Sequence, residues 1–290
     1  MKIGYSPSGF YPRELPARDA TAKLLELAET AHELGYDYIE KGDHHVVDLG
    51  QYLQNVPTSG RLAALFDHVA TMFLLPMYDP VLVAEQAGTL SAMVEQFDFW
   101  CALGYNDDAF RAFGVPKRQR APRFEEQLAL IRRLWSEDEV TFEGKYYQVE
   151  DVSVNPKADA RICIGGSAEP AVRRAGRLGD AWVSSSADHD TLEEKIQWFE
   201  EAGGGAVIVR LDAVGLPNDA DAKEHAQDLI KDGYRGWSSD ANYLAGDATH
   251  LAEYLGDLVD SGVDEVVVRP MDRAYATETL TQLIEAKEQC

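Results

Sequence analysis

Eight times along this chain an apolar or alternating run of strand length is followed by a segment with hydrophobic residues at helical spacing, and that repeat constrains the fold more than any other feature. The strand-like runs are "KIGY", "YDYIEK", "HVATMFLLP", "FDFWCAL", "RICIGG", "AWVSSS", "GAVIVRLDAV" and "VDEVVVRP". The first intervening helix places Leu24, Leu27, Ala28, Ala31 and Leu34 on one face and stops at Gly35. Continuous apolar strands such as "AVIVRL" suit a parallel sheet covered on both faces. Eight such units in 290 residues imply an α/β protein of the (β/α)8 barrel class. An open doubly wound sheet is the alternative, and the missing GxGxxG after the first strand weighs against it. "VTFEGKYYQVEDVSVNP", with Gly144 at a turn, predicts a small hairpin inserted before the fifth strand. No composition break marks a linker, so residues 1–290 are expected to form one domain.

Charge narrows the partners. With 50 acidic residues against 27 basic ones the net charge is −23, which repels a nucleic-acid backbone. The acids are spread over predicted helix faces and Arg outnumbers Lys. At molar salt the screening length falls to about 3 Å, and such a surface then stops repelling itself. The composition points to a halophile's cytoplasmic protein. No export signal and no run of membrane-spanning length is visible in the sequence. The three cysteines, Cys101, Cys163 and Cys290, have neither disulfide nor zinc spacing.

In a barrel of this class the C-terminal strand ends line the active site, and "EKGDHHVV" (residues 40–47) falls at the end of the second strand. Neighbouring histidines on a strand point to opposite faces, and nothing nearby completes a ligand set, so no metal is expected. Proton handling by His44 fits better: an imidazole side chain suits proton transfer near neutrality, and an adjacent carboxylate such as Asp43 can fix its tautomer. A second candidate is "ICIGGSAEPAVRRAG", where a strand ends in Gly165, Gly166 and Ser167 and a helix starts at once, a seat for a phosphate monoester. Ser184 and Ser185 end the sixth strand and add hydroxyl donors. Cys101 sits in an apolar strand, where an inert small hydrophobe is the simplest reading. Trp237 lies in "GYRGWSSDANY", long enough for a lid.

Six stretches in order carry a resemblance: "GYDYIEKGDHH", "LLPMYDPVLVAEQAGTLS", "CALGYNDDAFRAFGVP", "RRLWSEDEVTFEGKYYQ", "IGGSAEPAVRRAGRLGDAWV" and "GDATHLAEYLGDLVDSGVDEVVVRP". Over nearly its whole length the chain resembles the bacterial luciferase-like monooxygenases, barrel oxidoreductases that use reduced FMN or a deazaflavin (coenzyme F-420). The resemblance implies His44, preceded by Asp43, at the flavin's reactive edge, and Cys101 beside the flavin. It implies a non-proline cis peptide within Ala70, Thr71 and Met72 against the ring. It also implies a cofactor phosphate held by Gly165, Gly166, Ser167, Ser184 and Ser185. The chain departs from the family at Asn106 and Ala109, where relatives often carry Arg and Glu, and Asn106 also stands where deazaflavin dehydrogenases place a glutamate acid.

These readings together lead to a flavin-dependent monooxygenase acting with reduced FMN and oxygen on a small organic substrate, supplied by a separate reductase and dimeric as the family is. The alternatives are hydride transfer with the deazaflavin coenzyme and, from Asn106 and Ala109, a flavin-binding barrel without catalysis. A hydrolytic barrel lacks the metal set or paired carboxylates it would need.

Overall fold

Each apolar run read from the sequence is a strand in the computed structural model, which describes residues 1–48, 50–184, 189–234 and 243–289. The strands are β1 (Lys2–Tyr5), β2 (Tyr38–Lys41), β3 (His68–Leu74), β4 (Gln96–Ala102), β5 (Arg161–Gly165), β6 (Ala181–Ser184), β7 (Ala206–Gly215) and β8 (Glu265–Pro270). They form the closed parallel barrel of eight strands with flanking helices. The helices are α1 (Ala17–Glu33), α2 (Asn55–Leu62), α3 (Pro80–Ser91), α4 (Asp107–Ala112), α5 (Arg120–Ser136), α6 (Glu169–Leu178), α7 (His189–Glu201), α8 (Asp219–Lys231), α9 (Ala248–Asp260) and α10 (Ala276–Gln289). Among the described residues no helix is long and apolar enough to cross a membrane.

By packing, the chain divides into two compact units. The first comprises Met1–Ser8, Thr21–Glu40 and Ile164–Cys290. Within it β1 runs parallel to β8, with Ile3 opposite Val266 and Tyr5 opposite Val268, and β7 lies between β8 and β6. A short strand, Tyr243–Gly246, extends the sheet beside the C-terminal half of β7. Val207, Ile208, Val209, Val266, Val267 and Val268 are all buried, although neighbours along a strand face opposite sides. Cover on both faces is what makes these strands apolar throughout, and each such side chain contributes about 1.5–3 kcal/mol on burial.

The second unit comprises Gly9–Ala20 and Lys41–Cys163. Here β3 and β4 pair from His68 opposite Gln96 to Leu74 opposite Ala102. Asp79 caps α3 by accepting from the Val81 and Leu82 amides, with Pro80 in the first turn, where its missing N–H costs nothing. Gly88 is required further along α3, because a Cβ there would lie 2.0 Å from the Pro156 carbonyl oxygen. The predicted hairpin is present, Val140–Glu143 pairing antiparallel with Gln148–Val152. Its turn is fastened by Glu126 of α5, whose carboxylate accepts from the amides of Lys145, Tyr146 and Tyr147 at 3.0, 2.7 and 2.8 Å. Ala84, Leu130, Leu134, Val140 and Val154 form the core between α3, α5 and the hairpin.

At the N-terminal strand ends of this unit, Asp98 of β4 is 3 % exposed. Arg161 donates to both of its oxygens, at 3.1 and 2.5 Å, and His68 Nε2 lies 3.2 Å away. Burial pushes the Asp98 carboxyl up, but His68 and Arg161 beside it outweigh burial and hold the group below its ordinary value. A depressed carboxyl contributes stability above about pH 4 that is lost as pH falls through its folded value. Asp98→Ala therefore costs about 1–3 kcal/mol in urea unfolding at pH 7, because it leaves the partly buried Arg161 guanidinium without its partner. It also flattens the loss of stability that wild type shows on acidification below about pH 4. A loss under about 1 kcal/mol would place this cluster among ordinary surface pairs.

Candidate functional site

The "GDHH" segment leaves β2 at its C-terminal end, where the main chain turns out of the sheet. Asp43 is buried, and its Oδ2 accepts two hydrogen bonds, from the Leu74 amide and the Tyr78 hydroxyl, each at 2.9 Å. Its other oxygen, Oδ1, lies 3.2 Å from His45 Nε2 without the alignment of a hydrogen bond. Asp43 thus faces His45 and not His44, the neighbour to which the sequence reading assigned it. The reason is the spacing: residues two apart in extended chain share a side, whereas adjacent ones do not. His44 turns instead to two tyrosines, edge-on to Tyr52 at 5.1 Å and to Tyr105 at 6.4 Å. His45 packs edge-on against Tyr78 at 5.3 Å and Phe113 at 4.9 Å.

Val46 follows with φ +53°, a left-handed conformation that a β-branched residue adopts only at a cost of about 1–3 kcal/mol. The surrounding structure imposes it. Asn106 caps α4 by accepting from the Asp108 amide at 2.9 Å, and its Nδ2 reaches the His45 carbonyl at 3.4 Å. The residue that departs from the family therefore has a local role here. Ala109, the second departure, is buried against Met77 and Phe110.

Tyr105, Phe113 and Val46 stay 70 %, 45 % and 41 % exposed beside these rings. The His45 side chain beside this open aromatic wall is only 9 % exposed, with Nε2 buried against Asp43. The wall fits the face of a planar heteroaromatic ligand, and a flavin or deazaflavin ring is of that kind. Lys41 adds a buried cation, donating to the Tyr52 hydroxyl at 2.8 Å and the Gly42 carbonyl at 3.0 Å.

The other predicted residues take different places. Cys101 is fully buried in β4, and burial pushes its thiol well above the ordinary range, opposite to what a nucleophile needs. Ala70, Thr71 and Met72 are buried in β3; Thr71 donates to the Ser59 hydroxyl at 2.8 Å and the Met72 carbonyl accepts from Asn55 at 2.7 Å, both on α2. The expected non-proline cis bond is absent there: among the described residues the cis peptide is Asn155–Pro156.

In the first unit, the Gly166 amide donates to the Val183 carbonyl and its own carbonyl accepts from Trp182 Nε1 at 2.7 Å. A Cβ on Gly166 would lie 2.5 Å from that of Ala171, so close packing of the turn on α6 already requires this glycine. Gly165 is half-buried, Ser167 is exposed at the helix start, and Ser184 is fully buried. Ser185 and Trp237 lie outside the described residues.

The same unit holds charged residues that the sequence reading passed over. Ser6 donates to Glu40 at 2.5 Å, and Arg210 Nη2 is 3.5 Å from that carboxylate. Asp212 pairs with Arg269 and accepts from the Tyr234 hydroxyl at 3.2 Å. Burial works against the Arg269 charge, yet Asp212 more than compensates and holds it above its ordinary range. The signal was present in "AVIVRLDAV" and "EVVVR", where charges interrupt runs that are otherwise apolar. Among the described residues no group of three metal-ligating side chains occurs.

Comparison with known proteins bears on this geometry. The profile of a family described as luciferase-like monooxygenase matches residues 1–286. An F420-dependent glucose-6-phosphate dehydrogenase of Microbacterium testaceum is 28% identical over 214 residues, 68% of this chain and 60% of that protein. The chain thus spans about three fifths of the length of the curated relatives it matches. Among solved structures, a monooxygenase from Streptomyces bottropensis superposes with a TM-score of 0.86 at 18% identity, over 100% of this chain and 99% of that one. An F420-dependent secondary alcohol dehydrogenase, solved with an F420-acetone adduct, gives 0.83 at 19% identity, over 98% of both chains.

The buried thiols yield a direct check. Native protein treated with a maleimide at pH 8 leaves Cys101 and Cys163 unmodified, and both react once denaturant is added, as peptide mass mapping reads out. Fast native labelling of Cys101 would return it to the candidates for chemistry.

Proposed function

The chain belongs to the luciferase-like monooxygenase family of oxidoreductases, and on that premise we propose that it transfers hydride between the deazaflavin coenzyme and a small hydroxyl-bearing substrate or its carbonyl product. The observation that carries the reading is the Asp43 carboxylate, held by two donors on one oxygen with the other turned to His45. Removing hydride from an alcohol carbon requires a base for the hydroxyl proton, and a histidine backed by a carboxylate meets that need. The relatives named for an activity add support, being F420-dependent dehydrogenases. Bound coenzyme supplies the hydride chemistry; the chain supplies position and the proton path.

In this reading His45 exchanges the proton with the substrate oxygen, and Asp43 holds the ring and balances its charge. Tyr105 and Phe113 present an apolar face that excludes water from the reacting edge. His44, against Tyr52 and Tyr105, borders the same face and is the second candidate for the proton. Reduced FMN with oxygen, fed by a separate reductase, is the second reading, favoured by the family description itself. A homodimer working at high salt accompanies either one.

The test is a titration of the protein, in molar salt, with the deazaflavin coenzyme and with FMN, followed by fluorescence. Turnover of alcohols and sugar phosphates, and oxygen uptake with each reduced cofactor, are then measured. The proposal expects tighter binding of the deazaflavin, substrate-dependent change at its absorbance band and no substrate-linked oxygen uptake. His45→Asn should lower turnover by about 10²–10⁴-fold with coenzyme affinity nearly unchanged. Oxygen uptake coupled to substrate with FMN, and none of the hydride signal, would replace this reading with the second.

A further inference from the structure

A chain of side-chain contacts runs from the inserted hairpin to the histidine. The Tyr147 hydroxyl, in the hairpin turn, donates to Gln127 Oε1 at 3.1 Å, and Gln127 Nε2 donates to the Tyr78 carbonyl at 3.1 Å. Gln127 is fully buried on α5, next to the Glu126 that clasps the hairpin amides. Tyr78 directly follows the 3-10 turn Leu75–Met77 that ends β3, and its hydroxyl donates to Asp43 Oδ2. Asp43 Oδ1 then faces His45 Nε2. Two phenols, Tyr147 and Tyr78, with Gln127 between them thus join an element outside the barrel to the strand-end carboxylate.

From this geometry we infer that Tyr78 is a positioning residue for His45, acting through Asp43, and that the hairpin holds it in place through Gln127. The inference rests on His45 being the proton carrier of the proposed function. A carboxylate with one oxygen accepting from both Leu74 and Tyr78 cannot rotate without breaking both bonds, so Oδ1 stays on the side of the imidazole. The Tyr78 ring, edge-on to His45 and to Phe73 at 5.7 Å, is itself confined. Burial first and the Asp43 charge second push the Tyr78 phenol far above its ordinary range, so the hydroxyl remains a donor at every working pH.

The titratable groups around the pair are Asp43 and Tyr78 themselves and Tyr52 from the two-residue strand Gln51–Tyr52, with Lys41 two residues before Asp43. Asn55 Oδ1 is 3.5 Å from the Tyr78 hydroxyl and carries no charge. Removing the phenol hydroxyl frees the Asp43 carboxylate to turn Oδ1 away from the ring, which withdraws the charge that favours the imidazolium.

The experiment is NMR titration of the His45 ring in the protein without cofactor, the resonance assigned with His45→Gln, in wild type, Tyr78→Phe and Tyr147→Phe. Tyr78→Phe should lower the pH at which His45 loses its proton by about half a unit, roughly threefold in proton affinity. Tyr147→Phe, which leaves the Asp43 contacts intact, should move it the same way by less. A Tyr78→Phe protein that melts like wild type and titrates identically, or shifts upward, overturns the inference. Should that variant fail to fold, an unchanged midpoint in folded Tyr147→Phe overturns the hairpin link by itself. Because no cofactor or turnover enters, the result stands apart from the oxidoreductase reading: turnover that fails while the midpoint moves condemns only the latter.

Discussion

A carboxylate sealed from water must find its donors inside the protein, and the site in the second unit depends on how Asp43 does so. One oxygen takes a main-chain amide from the end of β3 and a phenol just beyond it. That leaves the other oxygen no choice of direction, and the imidazole two residues on lies in its path. Leaving such a group unpaired in the interior costs several kcal/mol. The turn after β3, the α2 residues that tie β3 down and the hairpin behind α5 can all be understood as supports for this one orientation.

Two other buried acids show that burial alone does not make a site. Asp98, at the N-terminal end of β4, is paired with Arg161 and has His68 3.2 Å away; the N-terminal face of such barrels serves stability. Glu40 is fully buried with Ser6 on one oxygen, while Oε1 has no hydrogen-bond partner among the described residues. What distinguishes Asp43 is the combination of a fixed carboxylate, an imidazole in front of its other oxygen and a wall of exposed aromatic rings. Backbone strain at Val46, directly after the histidines, is stored at the same place.

Much of the fold could be read from the residues, because parallel strands covered on both faces leave long apolar runs and glycine stops between them. The hairpin was equally legible from Gly144 between β-rich segments. Helix α2 was not: "NVPTSGRL" contains Pro57 and Gly60, both poor helix formers, and reads as loop until the bonds of Asn55 and Ser59 to β3 are seen. The pairing of Asp43 with His45 was missed because adjacency in sequence suggested His44, while side-chain direction is decided by alternation. Burial of Cys101, and the role of Gly166 in packing on Ala171, are tertiary facts with no local signal. Tyr78 and Asn106 looked unremarkable for the same reason: what they do depends on residues tens of positions away.

The central claim is that the aromatic wall beside Asp43, His44 and His45 receives the reacting edge of a planar coenzyme. A crystal structure of the protein with oxidised deazaflavin or FMN bound, grown in high salt, tests it most directly. The account predicts a ring packed on Tyr105 and Phe113 with a polar edge within about 3.5 Å of an imidazole nitrogen of His44 or His45. A ring bound where none of these four side chains touches it would contradict the account.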